Sequence, residues 1–254
     1  MSIGAIVCET AGAVRRVTIS NPPRFNAMTR QMWRQLRAVF EGIQADARAR
    51  CVLVQGAQGN FCAGGDIAEY PEFRFDSDSL RAFHEEDVWG GLRAMLACDV
   101  PIVASLEGNC MGAGLEIASC CDIRLAASAT RFGAPIARLG FPMAPREAQL
   151  VAREVGATAA RQMLLEAAVF SAEQLLARGF LTAVVPDAGL AVESEAAVER
   201  IIALAPQAAR ANKRTLRALA AGQPEVDAYA YADSAEHREG IQAFLEKRKP
   251  RFAN

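Results

Sequence analysis

Hydrophobic positions follow two different patterns along this chain. Short runs of branched and small apolar residues at 51–55 and 101–106 have the length and composition of buried strands. Between residues 30 and 46, apolar side chains recur every three or four positions, which predicts an amphipathic helix that begins after Thr29. The same spacing predicts a helix over 80–96. Strands and helices are therefore expected to alternate.

The two ends of the chain differ in pattern. Residues 3–9 and 14–20 flank a turn signal and predict an opening hairpin. Strand and helix patterns then recur at intervals of about 46 to 50 residues, which favours an α/β fold of stacked strand-strand-helix turns. Amphipathic helices are expected after residue 190, and an apolar stripe over 236–252 is typical of a surface that packs on a partner chain. We expect a core over 1–190 and a helical oligomerisation region over 191–254.

Composition and charge narrow the class of ligand. The 28 Lys and Arg residues nearly balance 29 Asp and Glu, so the net charge of −1 does not favour a nucleic-acid or anionic membrane partner. Seven cysteines, an odd number without a CxxC pair, are typical of reduced core thiols. The sequence shows no signal peptide and no apolar span of the roughly 18 residues that a membrane helix needs. We expect a cytoplasmic protein that binds a small molecule.

Candidate chemistry is concentrated in the stretch 108–122, which follows the second buried strand. The small residues Gly112, Ala113 and Gly114 would let a ligand approach bare backbone, and the first amides of a helix have no intrahelical acceptor. A developing oxyanion would fit there. Glu116 follows on an apolar face, where burial should raise the pKa of its carboxyl group and let it carry a proton near neutrality. Close packing at the glycines and a structural ion pair at the glutamate remain alternatives.

A second stretch, 61–67, also has small residues before a helix start, and Asp66 is a suitable cap for that helix.

Several other chemistries lack their motifs in this sequence. No phosphate-binding GxxxxGK[ST] loop and no GxSxG nucleophile elbow is present. The run Gly112-Ala113-Gly114 lacks the third glycine of a dinucleotide fingerprint, because Ile117 stands there. Two isolated histidines make a metal site improbable, and none is expected.

Four motifs together resemble the crotonase superfamily of enoyl-CoA hydratases and isomerases. In chain order they are Asn21-Pro22 with Asn26-Ala27, then Phe61-Cys62-Ala63-Gly64-Gly65-Asp66-Ile67, then Gly112-Ala113-Gly114-Leu115-Glu116 with Cys121-Asp122-Ile123-Arg124, and Ala243-Phe244 with Glu246-Lys247-Arg248. The match covers nearly the whole chain. The resemblance implies a core of ββα spiral turns and a helical C-terminal region that forms trimers, often paired into hexamers. It also implies an acyl-CoA thioester as substrate, with coenzyme A as part of that substrate and no separate cofactor.

The resemblance also implies roles for individual residues. The thioester oxygen would lie between the backbone amides of Gly65 and Ala113, where two preorganised donors stabilise an enolate, and Glu116 would be the acid/base. Substrate contacts are implied at Arg24, Ala27, Ala63, Asp66, Ile67, Gly112, Ile136, Leu139, Phe244 and Lys247. The first and the last two of these match positions that contact coenzyme A in the family, sometimes from a neighbouring subunit.

The sequence departs from the family pattern at the second acid/base position. Hydratases of the family carry a glutamate after the proline of Gly-x-Pro-Glu, whereas here Ile136 follows Pro135. Adding water is easiest with two carboxylates, but moving a proton between two carbons needs one. A hydratase, a double-bond isomerase and a catalytically weak acyl-CoA-binding protein all remain open. For Glu147 we expect an exposed position paired with Arg146, and a reach into the pocket from the next helix is the alternative. For His84 we expect a solvated or core position, and a catalytic role is the alternative.

Overall fold

A six-stranded, mostly parallel sheet forms the centre of the protein, which the computed structural model describes over residues 4–223 and 227–252. In spatial order the strands are β1 (Ala5–Ala11), β2 (Val14–Ser20), β3 (Cys51–Gly56), β4 (Ile102–Leu106), β6 (Ile123–Ala127) and β9 (Ala183–Val185). β1 pairs antiparallel with β2, and every other neighbouring pair in this sheet is parallel. The predicted hairpin is thus confirmed, with β1 extending to Ala11; residue 3, where it was expected to begin, lies outside the described residues.

A smaller sheet contains three strands that the sequence pattern did not predict. These are β5 (Asn109–Met111), β7 (Arg131–Gly133) and β8 (Val169–Ser171), with β5 parallel and β8 antiparallel to β7. Each strand has only three residues, too few for alternation to be recognised. β5 lies inside the stretch expected to be only a turn, and it leads the chain directly to Gly112.

Helices account for most of the remaining chain. They are α1 (Arg30–Ala45), α2 (Ser77–Ala82), α3 (Trp89–Ala97), α4 (Ala113–Ser119), α5 (Pro145–Val155), α6 (Ala157–Leu165), α7 (Ala172–Ala177), α8 (Leu190–Ile202), α9 (Pro206–Ala220) and α10 (Ala235–Leu245). The predicted cap of α1 is confirmed, because the Thr29 side chain accepts a hydrogen bond from the Met32 amide. α2 and α3 are joined by one π-helical turn, Phe83–Val88, within the helix expected over 80–96.

Apolar side chains pack on both faces of the main sheet. On one face, buried residues of α1 and α3, including Trp33, Phe40 and Leu92, pack in one cluster with residues of α4. On the other face, α8 packs against the sheet through residues such as Val198. In contrast, α9 has no buried residue and α10 has only Ala243. The boundary at residue 190 between a core and an oligomerisation region remains a prediction. α8 begins at this boundary and packs in the core.

Candidate active site

Two backbone segments, 62–64 and 109–111, lie side by side beyond the ends of β3 and β4. The Cys62 amide donates to the carbonyl oxygen of Asn109 at 2.8 Å, and the Met111 amide donates to that of Cys62 at 2.9 Å. Met28 holds the other side of the segment 62–64, because its amide donates to the carbonyl oxygen of Gly64 at 2.8 Å. Beyond the carboxyl ends of parallel strands is a common place for ligands in α/β proteins. The backbone here is fixed by its own hydrogen bonds.

Glycines allow the two segments to come this close. Gly112 has a φ of +46°, in a region that side chains disfavour, where β5 turns into α4. A Cβ at Gly114 would lie 2.6 Å from the carbonyl oxygen of Cys62, inside any tolerable contact. The close-packing interpretation is therefore correct for Gly114, while Gly112 borders open space in a cavity.

The backbone amides of Gly65 and Ala113 are both unused. Neither donates a hydrogen bond to any residue in the described part of the chain. Ala113 is the first residue of α4, where the amide has no intrahelical acceptor. Both residues border the same cavity, whose volume is about 180 Å³. Two amide donors are thus available next to one cavity.

Glu116 lines this cavity one turn into α4. Its side chain is buried, and it forms no ion pair with any residue within 4–223 and 227–252. Burial raises the pKa of Glu116 to about 8, and the nearby negative charge of Glu147 contributes to the increase. The structural ion pair considered as an alternative does not form. Glu116 is a carboxyl group that can hold a proton near neutrality.

The cavity brings together most of the predicted site residues. Those that line it are Ala63, Gly65, Ile67, Gly112, Ala113, Glu116, Ile136 and Leu139. The wall that contains Ile136 is otherwise formed by Pro135, Leu139, Phe141 and Pro142, all of them apolar. This part of the cavity is therefore a hydrocarbon surface.

The other five predicted contact residues do not line the cavity. Arg24 pairs with Asp66 at 3.2 Å, and the Asp66 carboxylate accepts from the Ala68 amide, which confirms Asp66 as a helix cap. Ala27 is buried. Phe244 lies at the end of α10 with 81% of its surface exposed, and Lys247 follows that helix, also exposed. Their proposed contacts with coenzyme A remain predictions.

The sequence interpretation missed two polar side chains of the cavity. Tyr70 and Arg74 both line it, and the Arg74 guanidinium stacks on the rings of Phe141 at 3.9 Å and Tyr70 at 4.4 Å. The aromatic character of residues 70–75 was the available signal. That pattern does not show which rings and charges point inward.

The expected surface position of Glu147 is wrong. Its side chain is 3% exposed, and its carboxylate Oε1 lies 3.0 Å from Nδ1 of His84, which itself lines the cavity. Arg146, the expected partner, pairs instead with Glu85 at 2.9 Å. Glu147 lies three and four positions before the buried Leu150 and Val151 of α5, so helical spacing places it on the buried face of that helix. The adjacent Arg146 was a misleading signal. His84 lies in the cavity wall, and its role remains a prediction.

Comparison with known proteins agrees with this arrangement. The sequence model of the family described as enoyl-CoA hydratase/isomerase matches residues 9–254. The chain belongs to this family. This enoyl-CoA hydratase/isomerase family member is 29% identical to a short-chain-enoyl-CoA hydratase of Clostridium acetobutylicum, over 98% of this chain and 97% of that protein. It is also 29% identical to the mevalonyl-coenzyme A hydratase SIDH of Beauveria bassiana, over 92% and 89% of the two chains.

Solved structures confirm the fold of this enoyl-CoA hydratase/isomerase family member. A crystal structure described as an enoyl-CoA hydratase/carnithine racemase from Magnetospirillum magneticum superposes with a TM-score of 0.94 at 35% identity, covering 99% of this chain and 96% of that one. The predicted crotonase-like α/β fold with C-terminal helices is thus confirmed, and relatives named as hydratases show that the family member is an enzyme.

The described residues contain neither a membrane-spanning helix nor a metal-binding cluster. None of the helices within 4–223 and 227–252 is long and apolar enough to cross a membrane. The same residues contain no group of three or more His, Cys, Asp or Glu side chains arranged to hold a metal ion.

Proposed function

We propose that this protein transfers protons at the α-carbon of an acyl-CoA thioester through an enolate, with Glu116 as the acid/base. The observation that carries the proposal is one cavity that holds a buried carboxyl group and two unused amides, those of Gly65 and Ala113. A carboxyl group with a pKa near neutrality can both donate and accept a proton during turnover. The names of the related hydratases support a thioester of coenzyme A as the substrate.

The two amides supply the electrostatic part of the mechanism. When the thioester becomes an enolate, negative charge develops on its oxygen, and donors already in position stabilise that charge without reorganisation. Removing one such donor typically costs about 3 kcal/mol of transition-state stabilisation. Because the donors at Gly65 and Ala113 belong to the backbone, side-chain substitution cannot remove them directly. Glu116 moves the proton, and the amides hold the charge.

Two reactions use this enolate. Isomerisation of a double bond moves one proton between carbons and needs only Glu116, whereas hydration also requires a group that activates water. The apolar wall at Ile136 supplies no such group. A chain that binds acyl-CoA without turnover is the third candidate, although the protonatable Glu116 in the cavity argues against it.

The test compares wild type with Glu116→Gln. Wild type should incorporate deuterium from D₂O at the α-carbon of acyl-CoA thioesters and convert some enoyl-CoA thioesters, and the variant should lose about 10²-fold or more of both activities. Binding of the thioester, measured by calorimetry, should change little. Glu166→Gln, on an exposed position after α6, is the control. Turnover that survives in Glu116→Gln with unchanged binding would refute the assigned role.

The products decide between the two reactions. Mass spectrometry of a panel of enoyl-CoA substrates detects hydration as a gain of one water. Isomerisation leaves the mass unchanged and is detected by chromatographic separation of the double-bond isomers. A protein that binds the thioesters and shows neither product nor deuterium exchange would be a binding protein.

A further inference from the structure

We infer that His84, oriented by Glu147, is a second proton-transfer group of this cavity and replaces the glutamate whose position is taken by Ile136. The inference rests on the proposed function, because it assumes an enoyl-CoA thioester next to Glu116. Three features carry it: the pairing of His84 with a buried carboxylate, the position of His84 in the cavity wall, and the π-helical turn that places it.

Glu147 determines which nitrogen of His84 is available. Its Oε1 lies 3.0 Å from Nδ1, so the carboxylate accepts a hydrogen bond from Nδ1–H, which leaves Nε2 as the nitrogen with a free lone pair. Glu147 is in the first turn of α5, where the helix dipole favours a negative charge. A carboxylate that orients an imidazole and stabilises its protonated form is a recurrent arrangement in catalysis.

The charged groups around the His84 ring make this pairing specific. Arg146 could compete for Glu147, but it pairs with Glu85 at 2.9 Å and so is directed elsewhere. Glu116 is close enough to Glu147 for the two carboxyl groups to influence each other. Within residues 4–223 and 227–252, the charged partner of Glu147 is therefore His84.

The backbone that carries His84 is unusual. Phe83–Val88 forms the π-helical turn between α2 and α3, and such turns occur frequently at functional sites. Asp87 in the same turn is buried and pairs with Arg30 at 2.8 Å and Arg34 at 2.6 Å, both on α1. The turn is thus fixed to the core at one residue and presents His84 to the cavity at another.

The two acid/base groups complete a balanced hydration. The water oxygen bonds to the β-carbon of the enoyl thioester, and one water proton goes to Nε2 of His84. The π electrons move to the thioester oxygen as an enolate, held by the amides of Gly65 and Ala113. The protonated Glu116 then gives its proton to the α-carbon. The proton on His84 returns through solvent to Glu116, so that the net change is the addition of one water.

The experiment separates hydration from proton exchange. Deuterium incorporation at the α-carbon of a saturated acyl-CoA needs Glu116 but no water activation, whereas hydration of the matching enoyl-CoA needs both groups. His84→Gln should reduce hydration by about 10²-fold or more and keep exchange within about threefold of wild type. His237→Gln, an exposed histidine of α10, is the matched control and should change neither rate.

Glu147 is tested as a positioning residue. Glu147→Gln should reduce kcat for hydration with little change in KM and should alter the acid limb of the pH–rate profile, because the protonated imidazole loses its counter-charge. Glu147→Asp should recover part of the rate. Glu166→Gln, which changes an exposed carboxyl group after α6, is the control. A purely structural role would not move the pH profile.

Two outcomes would overturn the inference. Hydration that is unchanged in folded His84→Gln means that water is activated elsewhere. Equal losses of hydration and exchange in both His84→Gln and Glu147→Gln, with circular dichroism showing folded proteins, mean that the pair only maintains the cavity. If His84→Gln does not fold, the Glu147→Gln pH profile alone decides. Failure of the proposed function would give a different result, since wild type itself would then show neither exchange nor turnover.

Discussion

Glu116 links the chemistry of the site to the stability of the molecule. Its pKa is about 8 in the folded protein against a usual value of 4.5, so between these two values the folded chain keeps a proton that the unfolded chain has lost. The free energy of unfolding contributed by this group should therefore fall as pH rises from about 4.5 to about 8 and level off above that. We predict that Glu116→Gln removes this loss and is more stable than wild type above pH 8, by on the order of 5 kcal/mol.

Urea denaturation of both proteins across this pH range measures the effect. Glu166→Gln, which replaces an exposed carboxyl group, should follow the wild-type curve. Parallel curves for Glu116→Gln and wild type would show that Glu116 is not buried in its neutral form.

Gly65 offers a steric test of the cavity. A Cβ at this position would collide with the Tyr70 hydroxyl, so Gly65→Ala must displace either the Tyr70 ring or the backbone at Gly65, which borders the cavity. We predict a loss of turnover of about 10-fold or more, since small displacements of an oxyanion donor are costly. Adding Tyr70→Phe removes the colliding oxygen and should restore part of the activity. If the double variant is no better than Gly65→Ala, then Tyr70 is not what the methyl group meets.

Among the structural elements, the π-helical turn depends most on one side chain. Asp87 is buried, and its loss would leave Arg30 and Arg34 without their shared partner. We predict that Asp87→Asn lowers the free energy of unfolding by about 1 to 3 kcal/mol, less than a fully buried pair because both arginines reach solvent. Hydration should fall more than α-proton exchange, because the turn also carries His84.

The exposed neighbour Glu86→Gln is the control for this prediction. Stability is measured by urea denaturation, and both reaction rates are measured on the folded variants. Equal effects on the two reactions would mean that the turn does not position His84 separately from the rest of the cavity.

Long elements were predictable from sequence, and short or distant features were not. α1 begins after the Thr29 cap and has five buried residues at helical spacing, which is a clear periodic signal. The three-residue strands, such as β5, and the π turn at Phe83–Val88 leave no periodic signal. Glu116 was predictable because its glycine-rich context is local. The His84–Glu147 pair joins residues 63 positions apart, and only tertiary packing brings them together.

At the scale of the whole molecule, the C-terminal helices leave apolar surface uncovered. Leu216 and Leu219 of α9 are 68% and 69% exposed, and Phe244 and Leu245 of α10 are more exposed still. Surface of this kind typically packs on a partner chain. We predict a trimer or a dimer of trimers, so light scattering should give three or six times the chain mass of 27.2 kDa. Replacing Leu216 and Leu219 together by Glu should lower that mass.

This prediction has a matched control and a clear counter-result. The double substitution of the exposed Glu166 and Glu173 by Gln changes two surface positions outside α9 and α10 and should leave the mass unchanged. A wild-type protein that is a monomer at micromolar concentration would contradict the prediction.

Assembly also bears on the coenzyme A contacts expected at Phe244 and Lys247. Neither residue lines the cavity of its own chain. If they serve a neighbouring subunit, Lys247→Glu should weaken coenzyme A binding by about 10-fold in the assembled protein, a loss of roughly 1.4 kcal/mol. Lys249→Glu, also exposed, is the control. Calorimetric titration with coenzyme A measures both variants, and equal affinities would remove Lys247 from the binding site.

The mutual hydrogen bonds of the two backbone segments beside the cavity have an evolutionary consequence. In the proposed mechanism, main-chain atoms, Glu116 and His84 act on the thioester, while another wall of the cavity is formed by side chains such as Leu139 and Phe141 from a different part of the chain. Replacement of those side chains can reshape the space for the acyl tail while the amides stay in place. Homologues of this protein could therefore acquire new acyl substrates by single substitutions, without an inactive intermediate.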